Sequence, residues 1–174
     1  MKIVPIFADR LFAFHYENEA DNELGRLLKL WNDTSYLYQF VTQHRDDGPK
    51  DVSILALINQ IIENANDIDN RLNEISSDES RSLEEFFRPL HNQEYRIVEL
   101  SKQKGRKNYL RIYAIRISKN CFVITGGAIK FHHLNKQREH TQKEMKKINK
   151  CRDFLRGNGV FDSDSFYEFL NEEK

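Results

Sequence analysis

The chain has few of the residues that define disulfide-bonded or metal-binding proteins. Its 174 residues include only two cysteines, Cys121 and Cys151, which match neither a disulfide framework nor the spacing of a zinc site. We therefore expect two buried free thiols. The chain also lacks internal repeats and low-complexity segments, and its length is that of one domain of ordinary size.

Long apolar runs and cofactor motifs are missing too. No stretch approaches the roughly 18 apolar residues of a membrane span, and the N-terminal MKIVPIF is too short for a signal-peptide core, so a cytoplasmic protein is expected. There is no phosphate-loop glycine pattern and no nucleophile elbow. Gly126 and Gly127 are interpreted as a strand bulge or a close backbone approach. We expect no cofactor and no metal.

Charge is balanced overall, with 27 basic and 27 acidic side chains, but the two signs are segregated along the chain. Residues 1–95 hold 9 Lys or Arg against 18 Asp or Glu, whereas residues 96–156 hold 17 against 4, a net charge of +13. Residues 157–174 are acidic again, with a net charge of −4. A basic surface on an acidic body favours binding of a polyanion. The alternative is that acidic helices neutralise basic strands within the molecule.

The central element is a predicted antiparallel meander within residues 93–131. Three runs have β character, Tyr95–Leu100, Tyr109–Ile117 and Cys121–Lys130, joined by the polar connections 102–108 and 118–120. Alternation in the middle run predicts one buried face and one wet face. Because the meander carries nine Lys or Arg and only two acids, we expect the wet face to be basic and to carry the function.

Helical periodicity precedes the meander and returns after it. Asp21 or Asn22 is expected to cap a first helix, broken near residues 32–35, and Asp51 a second helix whose apolar stripe continues to Ile75. Thr141 and Glu144 form a capping-box pattern at the start of another helix. The fold prediction is a single α+β domain over 1–174. Its parts are two N-terminal strands (1–16), at least one of which pairs with the meander, a helical part (21–88) forming a hairpin on one sheet face, the meander (93–131), a C-terminal helix (141–156) and a short terminal helix (160–170).

Basic side chains of the meander are the candidates for chemistry. A ribonuclease that works without a metal needs cations around the scissile phosphate and a group that takes the 2′-hydroxyl proton. Arg96, Arg111 and Lys130 would converge on one phosphate if they share a face. Tyr113 is placed to stack on a base, and His132 is a candidate acid or base. Further nucleic-acid contacts are expected from Lys102, Lys104, Arg106, Lys107, Lys143 and Lys147. The alternative is that these are solvated residues that bind nucleic acid without chemistry.

Five short motifs occur in a recognisable order. They are Phe87-Arg-Pro-Leu90, Tyr95-Arg-Ile-Val-Glu-Leu100, Leu110-Arg-Ile-Tyr113, Phe122-Val-Ile-Thr-Gly-Gly-Ala-Ile-Lys130 and Thr141-Gln-Lys-Glu144. In order and spacing they resemble the RelE/ParE superfamily, in particular its phage-derived, HigB-like branch of toxins. The resemblance covers roughly residues 85–156.

The resemblance implies a RelE-like α+β fold and a toxin of a type II toxin–antitoxin system. It implies an mRNA endonuclease, of a kind that often acts on the ribosome, and a helix-turn-helix antitoxin that blocks the basic face. Arg96, Arg111 and Lys130 fall on motif positions that carry basic residues in that branch. Two alternatives remain at this stage, a non-catalytic RNA-binding module and a protein-binding element with an acidic partner.

Overall fold

A computed structural model describes residues 1–90, 99–131 and 138–173, with side chains from residue 142 onward in the last range. Six strands form one sheet: β1 (Lys2–Phe7), β2 (Leu11–His15), β3 (Phe87–Pro89), β4 (Lys102–Lys107), β5 (Leu110–Ser118) and β6 (Cys121–Ile129). Their order across the sheet is β1-β2-β6-β5-β4-β3. The described helices are α1 (Glu23–Leu30), α2 (Thr34–Gln43), α3 (Ile54–Ser77), α4 (Arg138–Gly157) and α5 (Ser163–Glu172). The predicted α+β class is confirmed.

The N-terminal strands build one side of the sheet. β1 and β2 form an antiparallel hairpin, and β1 is an edge strand whose register shifts between Pro5 and Phe7, because proline has no N–H to donate to a ladder. β2 pairs in parallel with β6, from Leu11 opposite Phe122 to Ala13 opposite Ile124. The expected pairing with the meander is confirmed, and this parallel pair makes the sheet mixed. The β2 partnership ends at Ile124, so residues 125–129 of β6 continue past it.

The meander consists of β4, β5 and β6, which pair antiparallel in sequence order. The predicted bounds of the last two strands agree with β5 and β6 to within one residue at each end. β4, however, lies at Lys102–Lys107, which we expected to be a hairpin loop, and residues 99 and 100 form a turn. The earlier part of the expected strand, up to residue 98, lies outside the described residues. The sequence did not predict β4 as a strand, because its core-facing positions are Gln103 and Gly105 and not apolar side chains.

The first face of the sheet is covered by three helices, as we predicted for the helical part of the chain. Apolar side chains of α1, α2 and α3 pack against the β5 residues Leu110, Ile112 and Ala114. The expected break between the first two helices is confirmed, since Asn22 caps α1 and Asp33 caps α2. For α3 the N-cap is Ser53, whose side chain accepts from the N–H of Ala56, and not Asp51.

The second face of the sheet, which we expected to be wet, is covered as well. Ile148, Cys151 and Leu155 of α4, with aromatic residues of α5, pack on Tyr113, Ile115 and other strand residues. The apolar stripe of α4 is the reason: it needs a sheet face to bury it. α4 begins at Arg138, before the expected start, and the terminal helix is confirmed as α5. Among the helices described, none is long and apolar enough to cross a bilayer.

The two cysteines behave as predicted. Cys121, in β6, and Cys151, on α4, are both buried and free. Burial raises the pKa of each thiol to about 12, although the nearby hydroxyls of Tyr167 and Tyr16 respectively act in the opposite direction. Both thiols therefore remain protonated at neutral pH and contribute packing rather than chemistry.

Candidate functional site

Four basic side chains gather at one end of the meander. Arg106 of β4 is directly opposite Arg111 of β5, and Lys104 is opposite Tyr113, so these four residues share one face of the sheet. Arg111 is also opposite Ala128 of β6, and Lys130 follows two residues later on the same face. We call Lys104, Arg106, Arg111 and Lys130 the cation cluster.

Arg111 is the innermost member of the cation cluster. Its residue is only 6% exposed, so the expected surface position of this arginine is wrong. Nη1 donates to the carbonyl oxygens of Asn108, at 2.6 Å, and Leu110, at 3.0 Å, and thereby braces the β4–β5 turn. Nε is buried and has no hydrogen-bond partner among the described residues. Arg111 therefore has a structural role, and its buried Nε–H is not used.

The electrostatics of the cation cluster are repulsive. Burial is the main cause that lowers the pKa of Arg111, and Arg106 adds to it. Burial also lowers the pKa of Lys104 and of Lys130, followed by the charges of their neighbours in the cluster. Within the described part of the chain, no carboxylate forms an ion pair with any of the four. Unneutralised cations held this close favour an anionic ligand.

The other lysines expected to bind nucleic acid are dispersed. Lys102 donates to Oδ1 of Asn149 on α4 at 3.2 Å. Lys107 is on the opposite face of the sheet, 3.7 Å from a carboxylate oxygen of Asp67 on α3. Lys143 and Lys147 lie on α4, beside a cavity described below. Of the six predicted contacts, only Lys104 and Arg106 join the cation cluster.

Three predicted site residues remain: the role expected of one is corrected by the structure, and the other two stay untested. Tyr113 is only 2% exposed, so its ring cannot stack on a base as we expected. Burial also raises the pKa of its hydroxyl to about 12. Arg96 and His132 lie outside the described residues. Arg111 and Lys130 lie on the same face and interact electrostatically, and the convergence of Arg96, Arg111 and Lys130 on one phosphate stays a prediction.

A cavity of about 700 Å³ opens beside the C-terminal half of β6, between α1 and α4. It lies where β2 has stopped pairing, so residues 127–129 of β6 form part of its wall. Aromatic rings line much of the rest: Tyr16, Trp31, Tyr36, Phe40 and Phe154. We call it the edge cavity. Because Ala128 lines it and is directly opposite Arg111, the edge cavity and the cation cluster share the carboxyl end of β6.

Two buried carboxylates line the edge cavity, and Lys147 lies between them. Glu23 of α1 is 1% exposed and fully partnered: Arg26 donates to both of its oxygens, at 2.6 and 3.0 Å, and Lys147 Nζ donates to Oε2 at 2.9 Å. Glu144 of α4 is 7% exposed, and its Oε2 has no hydrogen bond among the described residues. Lys147 Nζ is 3.4 Å from that oxygen, within ion-pair range but without hydrogen-bond geometry.

The close approach of Glu144 to the sheet depends on a glycine. A Cβ at Gly126 would collide with Oε2 of Glu144, so glycine is required for this carboxylate to enter. Gly127 admits α1 on the other face, since a Cβ there would lie 2.9 Å from Cδ1 of Leu27 and 2.6 Å from the carbonyl oxygen of Arg111. The interpretation of this glycine pair as a site of close approach is thus supported, with side chains as well as a backbone making the contact.

Our sequence reasoning missed both carboxylates, although a signal was present. Glu144 was assigned to a capping box, yet its spacing to Ile148, Cys151 and Leu155 places it on the apolar stripe of α4. Glu23 of α1 has the same relation to Leu27 and to Trp31, the C-cap of that helix. An acid on an apolar stripe is either paired in the core or functional, since burying a lone charge is costly.

The pH dependence of stability should show the buried carboxyl of Glu144 directly. Burial, followed by the charge of Glu23, raises its pKa above the ordinary 4.5, while Lys147 opposes the shift. This group therefore stabilises the fold most below 4.5, and the contribution is lost as pH rises through the raised folded pKa. Because glutamine resembles the protonated carboxyl, Glu144→Gln should match the wild type at about pH 4 and exceed its stability at about pH 8.

Urea denaturation of both proteins across this pH range checks that expectation. Glu63→Gln, on the exposed side of α3, is the matched control and should follow the wild-type curve throughout. Parallel curves for wild type and Glu144→Gln would contradict a raised pKa at this position.

Comparison with protein-family models, curated proteins and solved structures finds no match to the chain. Among the described residues, no group of three or more His, Cys, Asp or Glu is arranged to hold a metal ion. The arguments for function therefore come from the cation cluster and the edge cavity.

Proposed function

We propose that this protein is the toxin of a type II toxin–antitoxin pair and cleaves mRNA without a metal ion. The observation that carries the proposal is the cation cluster, four basic groups whose charges no described carboxylate neutralises. An RNA phosphate is the anion that such a cluster suits, since several donors converge on one side of the sheet. The order of the five sequence motifs and the α+β meander fold agree with a RelE-like protein.

The roles within the cluster follow from their surroundings. Arg111 is held rigidly by two backbone carbonyls, so its guanidinium charge is preorganised to stabilise a phosphate oxygen that gains charge in the transition state. Lys104 and Lys130 have lowered pKa values, which brings a lysine closer to the neutral form that accepts a proton from the 2′-hydroxyl group. An antitoxin with an acidic segment would bind the same surface and exclude RNA.

One observation favours a second candidate, a non-catalytic RNA-binding module with the same surface. Tyr113 is buried and Arg111 braces a turn, so two of the predicted catalytic groups already serve the fold. A passive binder needs only the charge of the cluster. Both candidates predict RNA binding, and only the first predicts cleavage.

Controlled expression in bacteria separates the two. The wild type is expected to arrest growth and to leave cut transcripts, and the purified protein to cleave RNA in the presence of EDTA. The variant Lys104→Gln/Arg106→Gln/Lys130→Gln should do neither, whereas Lys2→Gln/Lys50→Gln/Lys119→Gln, which removes the same charge from exposed lysines elsewhere, should behave as the wild type. Normal growth and intact transcripts with the wild type would contradict the toxin proposal and leave the RNA-binding module.

A further inference from the structure

We propose that the unpaired edge of β6 in the edge cavity binds an extended segment of a partner protein, which adds to the sheet as a further strand. β2 pairs with β6 only as far as Ile124, whereas β6 continues to Ile129. Among the described residues, no strand pairs with β6 on that side beyond Ile124. An unpaired strand edge is a template for another strand, because its N–H and C=O groups match the spacing of an extended chain. The inference goes beyond the proposed function and does not depend on it.

The hydrogen-bond pattern shows which main-chain groups of β6 point to the unpaired edge. Lys130 N–H donates to the carbonyl oxygen of Tyr109 at 2.6 Å, and these two residues continue the β5–β6 register. Because the main-chain groups of an antiparallel strand point alternately to either side, Ala128 also bonds to β5, while Gly127 and Ile129 point away from it. No residue in the described part of the chain is hydrogen-bonded to Gly127 or Ile129 on that outer side. Since Gly127 has no side chain, it is its main chain that lines the cavity.

Two contacts close the edge of β6 where β2 ends. The hydroxyl of Tyr16 donates to a main-chain carbonyl oxygen of β6. The ion pair between Glu23 and Lys147 then joins α1 to α4, and Lys147 Nζ lies beside Gly126, 3.0 Å from the position that a Cβ would take. The free edge therefore consists of residues 127–129 and can pair with about three residues of a partner segment, which would continue the line of β2.

The two walls of the cavity differ, and the difference gives the partner segment a pattern. The wall formed by α1 and α2 is aromatic, with Tyr36 partly exposed beside buried rings. The α4 wall presents Lys143 and Lys150, both exposed and without an ion pair to any described residue. The exposed acids of the cavity, Glu17 and Glu19, come directly after β2, at the closed end of the edge. Because successive side chains of a strand point to opposite faces, the segment should alternate apolar residues toward α1 with acidic residues toward α4.

The surroundings of the free edge favour a main-chain partner over a small ligand. Main-chain N–H and C=O groups beside apolar walls destabilise the fold unless they are hydrogen-bonded. A small ligand reaches one or two of these groups. An extended chain offers a donor and an acceptor at every second residue, which matches the spacing of Gly127 and Ile129, and its side chains fill both walls of the cavity.

Two N-methylated versions of one peptide test strand addition. The probe is acetyl-Asp-Phe-Asp-Val-Asp-amide, and its binding is followed by the fluorescence of Trp31, which lines the cavity and is the only tryptophan of the chain. In an added strand the N–H groups of every second residue face β6. N-methylation either of Phe and Val or of the last two Asp residues should therefore weaken binding by about 10-fold or more, and methylation of the other pair should not. Equal weakening by both, or no saturable binding at about 1 mM peptide, overturns the inference.

Charge-reversed variants test which wall receives the acidic side chains. Lys143→Glu/Lys150→Glu should weaken peptide binding by about 10-fold, since acidic side chains then meet like charges on α4. Lys146→Glu/Arg156→Glu is the matched control, because both residues are exposed on the same helix and neither lines the cavity. It should bind the peptide as the wild type does. An equal loss in the two variants would show that net charge governs binding and would overturn the inference.

The wild-type protein alone provides a second readout. Amide hydrogen exchange at Gly127 and Ile129 should slow when the peptide is bound, whereas exchange at Ala128, whose N–H already bonds to β5, should stay the same. Unchanged exchange at Gly127 and Ile129 in the presence of bound peptide overturns strand addition. Peptide binding and RNA cleavage are measured separately, so the failure of either leaves the other standing.

Discussion

Replacing Lys104, Arg106 and Lys130 together by glutamine should weaken RNA binding by about 10²-fold at low salt. The estimate assigns about 1 kcal/mol to each lost charge-assisted phosphate contact. The fold should tolerate the change, because it removes repulsion between the directly opposite Arg106 and Arg111. Fluorescence anisotropy with a labelled single-stranded RNA measures the affinity, and thermal melts monitor the fold.

The control for this variant holds the total charge constant. Lys2, Lys50 and Lys119 are exposed and lie outside the cation cluster, Lys119 in the β5–β6 turn at the end of β5 opposite to Arg111, and their replacement by glutamine also removes three charges. We expect this second variant to lose much less affinity than the first. An equal loss in the two variants would mean that net charge, and not the cation cluster, governs binding.

Replacing Arg111 by methionine should raise stability and abolish specific RNA binding at the same time. The substitution removes a buried charge that lacks a counterion, which outweighs the loss of two hydrogen bonds to main-chain carbonyls. A net gain of about 1 kcal/mol corresponds to a rise in Tm of roughly 2–4 °C for a chain of this size. The loss of function would come from the missing phosphate donor, so stability and function would change in opposite directions.

Arg156→Met is the matched control, because that arginine is exposed in the last turn of α4. It should leave Tm unchanged or slightly lower, since a cation there interacts favourably with the helix carboxyl end. A clear fall in Tm for Arg111→Met would contradict the account and show that bracing of the β4–β5 turn is the main role of this residue.

Elements with strong periodicity could be predicted from the sequence. The alternation in β5, the helical stripe of α3 and the helix break near residues 32–35 all agree with the structure. In each of these, local pattern and tertiary environment favour the same conformation.

The polar strand β4 could not be predicted, because its sequence shows no alternation of apolar and polar residues. Its core face carries Gln103 and Gly105, and the ring of Phe86, from a preceding part of the chain, fills the space beside that glycine. A strand whose inner face is completed by another segment shows no apolar alternation of its own. The six basic and polar residues therefore resembled a loop.

Burial of the second sheet face was missed for a related reason. The stripe of α4 was visible, but nothing in the sequence states which surface it covers, and the basic residues around Arg111 favoured an open face. For the candidate site, only the type of residue was predicted. Arg111 and Lys130 lie on one face of the sheet, and Lys104 and Arg106 are the other two members of the cation cluster. The edge cavity could not be predicted, since it is formed by residues distant in sequence, such as Glu23 and Glu144, where β2 ends.

The salt dependence of RNA binding tests the central claim most directly, that the cation cluster contacts RNA phosphates. The logarithm of the association constant is measured against the logarithm of salt concentration for the wild type and for the Lys104, Arg106 and Lys130 triple variant. Each phosphate contact on a single strand contributes a slope of about −0.7, so the triple variant should show a slope shallower by about 2. Identical slopes for the two proteins, or wild-type binding that is indifferent to salt, would contradict the account.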